Sequence, residues 1–195
     1  DANGDCIYLI EAKDGKYSIL GNHDYGEYVN WESKEKQEKN MMDLFNYEKQ
    51  SGFHLLKNDS VILEKNGERI GLAGVENWGL PPFSQYGDID KALANIKDTP
   101  FKILMSHDPS HWDAEIRPKT NVDLTLSGHT HGMQFGINIP GIKWSPVKWK
   151  YPRWSGLYKE NNQFLYVNVG IGYIGFPGRV GIYPEITVFE LHNES

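Results

Sequence analysis

Apolar runs that end in glycine or in polar residues predict several strands. Residues 16–20 (KYSIL) alternate weakly and lead to Gly21. Residues 101–107 (FKILMSH) and 122–129 (VDLTLSGH) have the continuous apolar character of buried strands. The pattern therefore predicts three strands whose carboxyl ends are followed by polar side chains.

Other stretches predict helices and tight turns. Residues 31–50 are strongly charged with spaced apolar positions, which is typical of a helix with a solvated surface. Residues 88–97 begin with an aspartate suited to capping and keep a helical spacing. Asn66 and Gly67 separate two apolar runs, which indicates a β-hairpin.

The last third of the chain has a β pattern. FLYVNVG, the glycine-rich GIGYIGFPGRVGI and EITVFEL alternate or run apolar, and Asn161-Asn162 is suited to a hairpin turn. Strands mixed with helices, followed by strands alone, predict an α/β fold with a substantial β component.

Composition narrows the function classes. The chain has 195 residues, of which 39% are hydrophobic and 24% are charged, as in an ordinary globular domain. Its net charge of −6 argues against nucleic acid as a partner. No apolar run approaches the roughly 18 residues of a membrane span. Cys6 is the only cysteine, so an internal disulfide is excluded.

Side chains of the types that commonly bind metal ions follow each of the three predicted strands. In open α/β sheets, ligands bind beyond the carboxyl ends of the strands. Imidazole and amide donors together suit borderline divalent ions better than a structural zinc held by cysteines. The candidate metal-site residues are Asn22, His23, Asp24, His107, His129 and His131.

The two histidines of GHTH leave two interpretations open. Alternate residues of a strand point to opposite faces, so His129 and His131 need a turn to converge, which the flanking glycines would permit. Alternatively, each histidine serves a different metal of a close pair. Elsewhere, His54 and His192 are interpreted as ordinary polar residues. His111 is predicted to contact substrate or simply to pack, since Pro109 argues against a helix carrying it alongside His107.

These motifs resemble the calcineurin-like metallophosphoesterases. Gly21-Asn22-His23-Asp24, an isolated His107 and Gly128-His129-Thr130-His131 occur in the order of the family's last three motifs. The stretches LGNHDYG, SHDPSHW, SGHTHGMQFGI and FPGRVGI are similar to a bacterial, membrane-associated branch. The resemblance implies an α/β fold, a two-sheet sandwich flanked by helices, with residues 1–195 as a single domain.

The resemblance also implies roles for individual residues. Asn22, His107 and His129 would bind the second metal, and His131 the first. His23 would stand beside the substrate and donate a proton or hydrogen bond to the ester oxygen, while Asp24 would support the loop or orient His23.

The implied activity is metal-dependent hydrolysis of a phosphomonoester or phosphodiester. The implied cofactors are two divalent ions, Mn, Fe or Zn, which suit such ligands. Hydroxide formed between the two ions would attack phosphorus in line.

The chain departs from the family in its first two motifs. The opening Asp-x-His and the Gly-Asp that supplies a bridging carboxylate are not evident, and Asp1 and Asp5 are only weak substitutes. We therefore expect a domain that lacks its N-terminal strands, with a tendency to dimerise, to exchange segments or to be poorly stable. Such a truncated chain could itself be inactive. Localisation stays open, with membrane association of the full-length protein as one expectation.

Residues 142–158 (IKWSPVKWKYPRWSGLY) interleave tryptophan and tyrosine with lysine and arginine. Aromatic and cationic side chains together suit a membrane surface or a lipid headgroup, which would make the substrate a lipid-linked phosphoester. The alternative is an irregular loop packed over the core, with its lysines in solvent.

Two other functions were compared with the hydrolase. A metallo-β-lactamase-type enzyme fails, because Gly132, Met133 and Gln134 follow His131 where that signature requires an aspartate and a histidine. A degenerate phosphoesterase fold that acts as a non-catalytic binding module is favoured by the two missing motifs.

Overall fold

The computed structural model describes residues 11–192 and is built around one mixed sheet of six strands. Its strands, in spatial order, are β3 (Asp59–Lys65), β4 (Glu68–Gly74), β5 (Phe101–Met105), β6 (Leu124–Ser127), β10 (Gln163–Val167) and β9 (Gly156–Glu160). The four inner strands are parallel, and each edge strand pairs antiparallel with its neighbour. The carboxyl ends of the inner strands therefore meet along one margin of the sheet.

Two small sheets accompany the large one. β1 (Lys16–Ser18) and β2 (Phe53–Leu55) pair in parallel, and β7 (Ile137–Ile139) and β8 (Ile142–Trp144) form an antiparallel hairpin. The β1–β2 pair packs closely on the large sheet, since a Cβ on Gly74 would lie 2.6 Å from side-chain atoms of both Ile19 and Leu56. The prediction of an α/β fold with two sheets is confirmed, although the second layer has only two strands within residues 11–192.

Both predicted helices are present, one of them with its predicted cap. Helix α1 (Lys34–Gln50) has Ser33 as its N-cap and no buried residue, as expected for a helix with a solvated surface. Helix α2 (Ile89–Leu93) is shorter than predicted, and the Asp88 side chain accepts a hydrogen bond from the backbone N–H of Lys91. A π-helical turn, Trp112–Ile116, leads into α3 (Arg117–Lys119). None of the helices in the described chain is long and apolar enough to cross a bilayer.

Both predicted hairpins are present. β3 and β4 are joined by Asn66 and Gly67, whose φ angles of 55° and 83° match a turn with two left-handed residues. β9 and β10 are joined through Asn161, which also has a positive φ of 54°.

The prediction of further strands after residue 169 is wrong. Residues 185–191 form no regular strand, and Ile186 and Val188 are 84% and 83% exposed. The polar alternate residues face the sheet instead, because Glu185 hydrogen-bonds to Tyr166 and Thr187 accepts a hydrogen bond from the Asn168 amide. The alternating pattern thus marks an extended segment held by side chains rather than by a backbone ladder.

The aromatic and basic segment 142–158 divides between core and surface. Tyr151 and Trp154 are buried in a small cluster with Val169 and Ile182, which agrees with the packing alternative. Trp149 is 73% exposed.

Candidate metal centre

Neighbouring strand ends bring three candidate ligands together. β5 and β6 lie side by side, and the Gly128 N–H donates to the His107 carbonyl just beyond both strands. Asn22 enters from the loop after β1 and is 4% exposed. The three predicted strand ends thus converge, although their motifs are separated by up to 107 positions.

Their donor atoms form a compact triangle. Asn22 Oδ1 lies 3.0 Å from His107 Nε2 and 3.0 Å from His129 Nδ1, and the two ring nitrogens are 3.2 Å apart. Ligands about 2.1 Å from one octahedral ion lie about 3.0 Å apart, and tetrahedral ligands slightly further. An amide oxygen and two imidazole nitrogens at these separations therefore fit one face of a divalent ion.

The orientation of Asn22 is fixed by its other amide atom. Its Nδ2 donates a hydrogen bond of 2.9 Å to the Tyr28 hydroxyl, which turns Oδ1 toward the two histidines. Tyr28 thereby fixes the orientation of the candidate ligand Asn22.

Both imidazoles in the triangle are neutral at neutral pH. Burial, reinforced by the neighbouring imidazoles, lowers the pKa of His107 to about 3. Burial is also the main reason that the pKa of His129 falls to about 4, with a smaller contribution from Lys150. Neutral rings offer a lone pair to a metal without losing a proton first.

The outer nitrogen of His129 has its own partners. His129 Nε2 lies 2.8 Å from the Tyr151 hydroxyl and 3.5 Å from Asp108 Oδ2. Asp108 is 1% exposed, and its Oδ2 forms no hydrogen bond to the described residues. The Tyr151 hydroxyl therefore orients the His129 ring through a hydrogen bond, and the Asp108 carboxylate lies next to the same nitrogen. The sequence alone predicted no role for Asp108 or Tyr151. The only sequence signal for Asp108 is that it follows His107, and no local pattern indicates that Tyr151 lies beside His129.

His131 lines the same cavity but stands apart from the triangle. Its Nδ1 is buried and has no hydrogen-bond partner among residues 11–192, so it is available to a ligand. The backbone is left-handed at His129 (φ 67°) and His131 (φ 49°). This conformation is strained for residues other than glycine and is frequent at functional sites. Of the two glycines that flank the motif, Gly132 also has a left-handed backbone, with φ 54°, whereas Gly128 does not. His129 and His131 thus line one cavity, with His131 outside the triangle.

The GNHD loop forms one wall of the cavity. His23 is exposed there, with its ring centroid 4.8 Å from that of Tyr28. Asp24 Oδ2 accepts a 2.7 Å hydrogen bond from the Gly21 N–H, which closes the loop on itself. The cavity has a volume of about 460 Å³, and Phe83, Tyr173 and Ile174 complete its lining. His23 is thus left free to face a bound substrate.

The predicted substrate contact for His111 is wrong. The side chain is fully buried, stacks on Trp78 at a centroid distance of 4.5 Å and hydrogen-bonds to Ser106 at 2.9 Å. It does not reach the cavity, because the turn after Pro109 directs it into the core. Packing, the alternative stated for His111, describes it.

Among residues 11–192, no group of three or more His, Cys, Asp or Glu side chains is placed to hold a metal ion. The triangle owes its third donor to the amide of Asn22. Asp1 and Asp5, the weak substitutes for a bridging carboxylate, lie outside the described residues.

Gly21 provides a test of this geometry. A Cβ at this position would lie 2.7–2.8 Å from three atoms of the His107 ring, so Gly21→Ala is expected to displace that ligand. Gly128→Ala is the matched control, because its Cβ would meet only the Asn168 carbonyl, at 3.8 Å. We expect Gly21→Ala to weaken Mn²⁺ binding at least about tenfold in calorimetric titration. Equal affinities for the two variants would contradict the placement of His107.

Comparison with known proteins points to one family. The family model for calcineurin-like phosphoesterases matches residues 3–133. An uncharacterized metallophosphoesterase of Bacillus subtilis, YkuE, is 32% identical over 186 residues, covering 93% of this chain and 58% of that protein. A transmembrane protein with a metallophosphoesterase domain from Bos taurus is 28% identical over 191 residues, covering 91% of this chain and 39% of that protein. The chain thus spans about half the length of these relatives or less.

Among solved structures, the NAD nucleotidase of Haemophilus influenzae matches with a TM-score of 0.46 at 15% identity. The match covers 77% of this chain and 29% of that one.

Proposed function

Because the chain belongs to the calcineurin-like phosphoesterase family, we propose that it hydrolyses a phosphomonoester or phosphodiester with the help of divalent metal ions. The observation that supports this most strongly is the donor triangle of Asn22, His107 and His129, with separations of 3.0–3.2 Å. Through these atoms, neutral imidazoles and an amide oxygen can satisfy one another only in part, because each ring carries a single N–H, whereas a cation would accept a lone pair from all three.

In this proposal, the described residues divide into two ligand groups. Asn22, His107 and His129 hold one ion, and His131, with its unpartnered Nδ1, is a ligand of the second. When bound, two such ions lower the pKa of water and neutralise charge on the phosphoryl group. Mn, Fe and Zn are all compatible with these donors.

The remaining residues of the cavity protonate the leaving group of the substrate or hold the metal ligands in place. His23 stands at the open wall, where an imidazolium can donate a proton to the leaving oxygen. Asp24 holds the loop that carries His23, through its bond to the Gly21 N–H. Tyr28 keeps Asn22 in its productive orientation, and Tyr151 does so for His129.

A non-catalytic binding module is the second candidate. It is favoured by the small inventory of acidic ligands, since no cluster of three or more His, Cys, Asp or Glu is present in residues 11–192. Such a module would bind one ion through the triangle and turn over no ester.

One experiment separates the two candidates. The purified protein is stripped of metal with a chelator, and hydrolysis of p-nitrophenyl phosphate and bis-p-nitrophenyl phosphate is measured before and after addition of Mn²⁺, Fe²⁺ or Zn²⁺. We expect activity to disappear on stripping and to return with metal. Metal binding without hydrolysis of either ester would favour the module, and activity indifferent to stripping would overturn the proposal.

A further inference from the structure

The charges of the chain are unevenly distributed along its sequence. Between positions 124 and 184, Glu160 is the only acidic residue, whereas the whole chain carries −6. The cationic residues of that stretch are Lys143, Lys148, Lys150, Arg153, Lys159 and Arg179. This part of the sequence, which contains GHTH, is therefore basic, and Lys148 and Lys150 are exposed in it.

The same part of the chain exposes an apolar surface, which we call the apolar rim. Its side chains are 44–66% exposed although all are large and hydrophobic. They belong to the turn after GHTH, to the β7–β8 hairpin and to the glycine-rich loop after β10: Phe135, Ile137, Ile139, Tyr173, Ile174 and Phe176. Exposed apolar surfaces of this kind beside a site mark binding to a protein or a membrane.

Buried hydrogen bonds hold the two halves of the apolar rim together. The Gln134 side chain is 1% exposed, and its Nε2 donates to the carbonyls of Phe176 and Gly178. The backbone adds two bonds, from Val180 N–H to the Gln134 carbonyl (2.7 Å) and from Gly136 N–H to the Val180 carbonyl (2.9 Å). The apolar rim is therefore one surface and not two independent loops.

The apolar rim continues into the candidate metal cavity. Tyr173 and Ile174 belong to both, and they line the cavity together with His23 and His131. A partner bound to the apolar rim would therefore lie directly at the mouth of the candidate metal cavity.

A cationic and aromatic belt adjoins the hairpin. Trp149 is 73% exposed, and its ring lies 6.2 Å edge-on from that of Trp144 at the end of β8. Lys148 and Lys150, both exposed, flank Trp149 in the sequence. Tryptophan and lysine beside inserted aliphatic side chains are the combination that suits the headgroup layer of an anionic bilayer.

We propose that the apolar rim and the adjoining belt dock the protein on an anionic lipid bilayer, so that the phosphoester of a lipid headgroup enters the cavity. The choice of substrate class rests on the proposed hydrolase function, whereas the docking itself rests on exposure and charge. A bilayer is favoured over a second copy of the chain because the surface is cationic at its edge, and two such surfaces would repel each other.

The test is vesicle flotation with the purified protein. We expect binding to phosphatidylcholine vesicles that contain phosphatidylglycerol, weaker binding to phosphatidylcholine alone, and release by salt. The variants Ile139→Glu and Lys148→Glu/Lys150→Glu are each expected to reduce binding at least about tenfold. Ile62→Glu is the matched control, because Ile62 is an apolar residue on edge strand β3 that is 44% exposed, against 55% for Ile139.

Three results would overturn the docking proposal. The first is no binding of the wild-type protein to anionic vesicles. The second is binding of Ile139→Glu and of Lys148→Glu/Lys150→Glu equal to that of Ile62→Glu, and the third is a dimer that Ile139→Glu dissociates without vesicle binding. The comparison of the two vesicle compositions uses the wild-type protein alone, so its result remains valid even if a variant is poorly folded. Hydrolysis of a soluble p-nitrophenyl ester by the wild-type protein reports on the catalytic proposal independently. Failure of docking and failure of catalysis can therefore be told apart.

Discussion

Replacing His107 with alanine is expected to remove metal-dependent hydrolysis. His107 Nε2 is one corner of the donor triangle, 3.0 Å from Asn22 Oδ1 and 3.2 Å from His129 Nδ1. Loss of residues that merely support metal ligands costs about 10–100-fold, so loss of a ligand is expected to exceed about 100-fold in kcat/KM. Metal content, measured by mass spectrometry after dialysis, should fall in parallel.

The control for this variant is His54→Ala. His54 is also a histidine on a strand, but it is exposed on β2 and contacts the Tyr17 ring instead of the cavity. The His54→Ala variant should keep full metal content and activity. If His107→Ala retained both, the triangle would not be a metal site.

Replacing His23 with alanine is expected to have the second largest effect, and to act on chemistry rather than on metal content. His23 lies on the cavity wall and outside the donor triangle, so the ions should remain bound. General acid catalysis contributes about 10²–10⁴-fold, and most when the leaving group is a poor one. We expect kcat for a phenyl or alkyl phosphoester to fall by about that factor, and kcat for the p-nitrophenyl ester to fall much less.

The dependence on the leaving group makes this prediction specific. An equal loss of kcat for good and poor leaving groups would mean that His23 positions substrate but does not protonate it. A parallel loss of bound metal would instead assign His23 to the ligands. His192→Ala, at an exposed residue near the end of the described chain, is expected to change neither quantity.

The parts of the fold that depend on local patterns could be predicted from the sequence. The charged helix after residue 31, the Asn66-Gly67 hairpin and the strands that precede His107 and His129 each carry their own signal in spacing or turn chemistry. Because parallel strands end at one margin of a sheet, the convergence of these ligands also followed from topology.

The parts that depend on distant contacts could not be predicted. Tyr151 reaches His129 only because residues 130–155 fold back as a unit, with the Thr130 hydroxyl donating to the Trp154 carbonyl at 2.7 Å. The substrate role of His111 failed because burial against Trp78 is not visible in its spacing from His107. The strand predicted at 185–191 failed because its polar residues, not its apolar ones, face the sheet.

The most direct test of the metal centre is anomalous diffraction from crystals of the protein grown with Mn²⁺. The account predicts an anomalous peak about 2.0–2.3 Å from Asn22 Oδ1, His107 Nε2 and His129 Nδ1 together. A bound ion elsewhere, with these three atoms left uncoordinated, would contradict it.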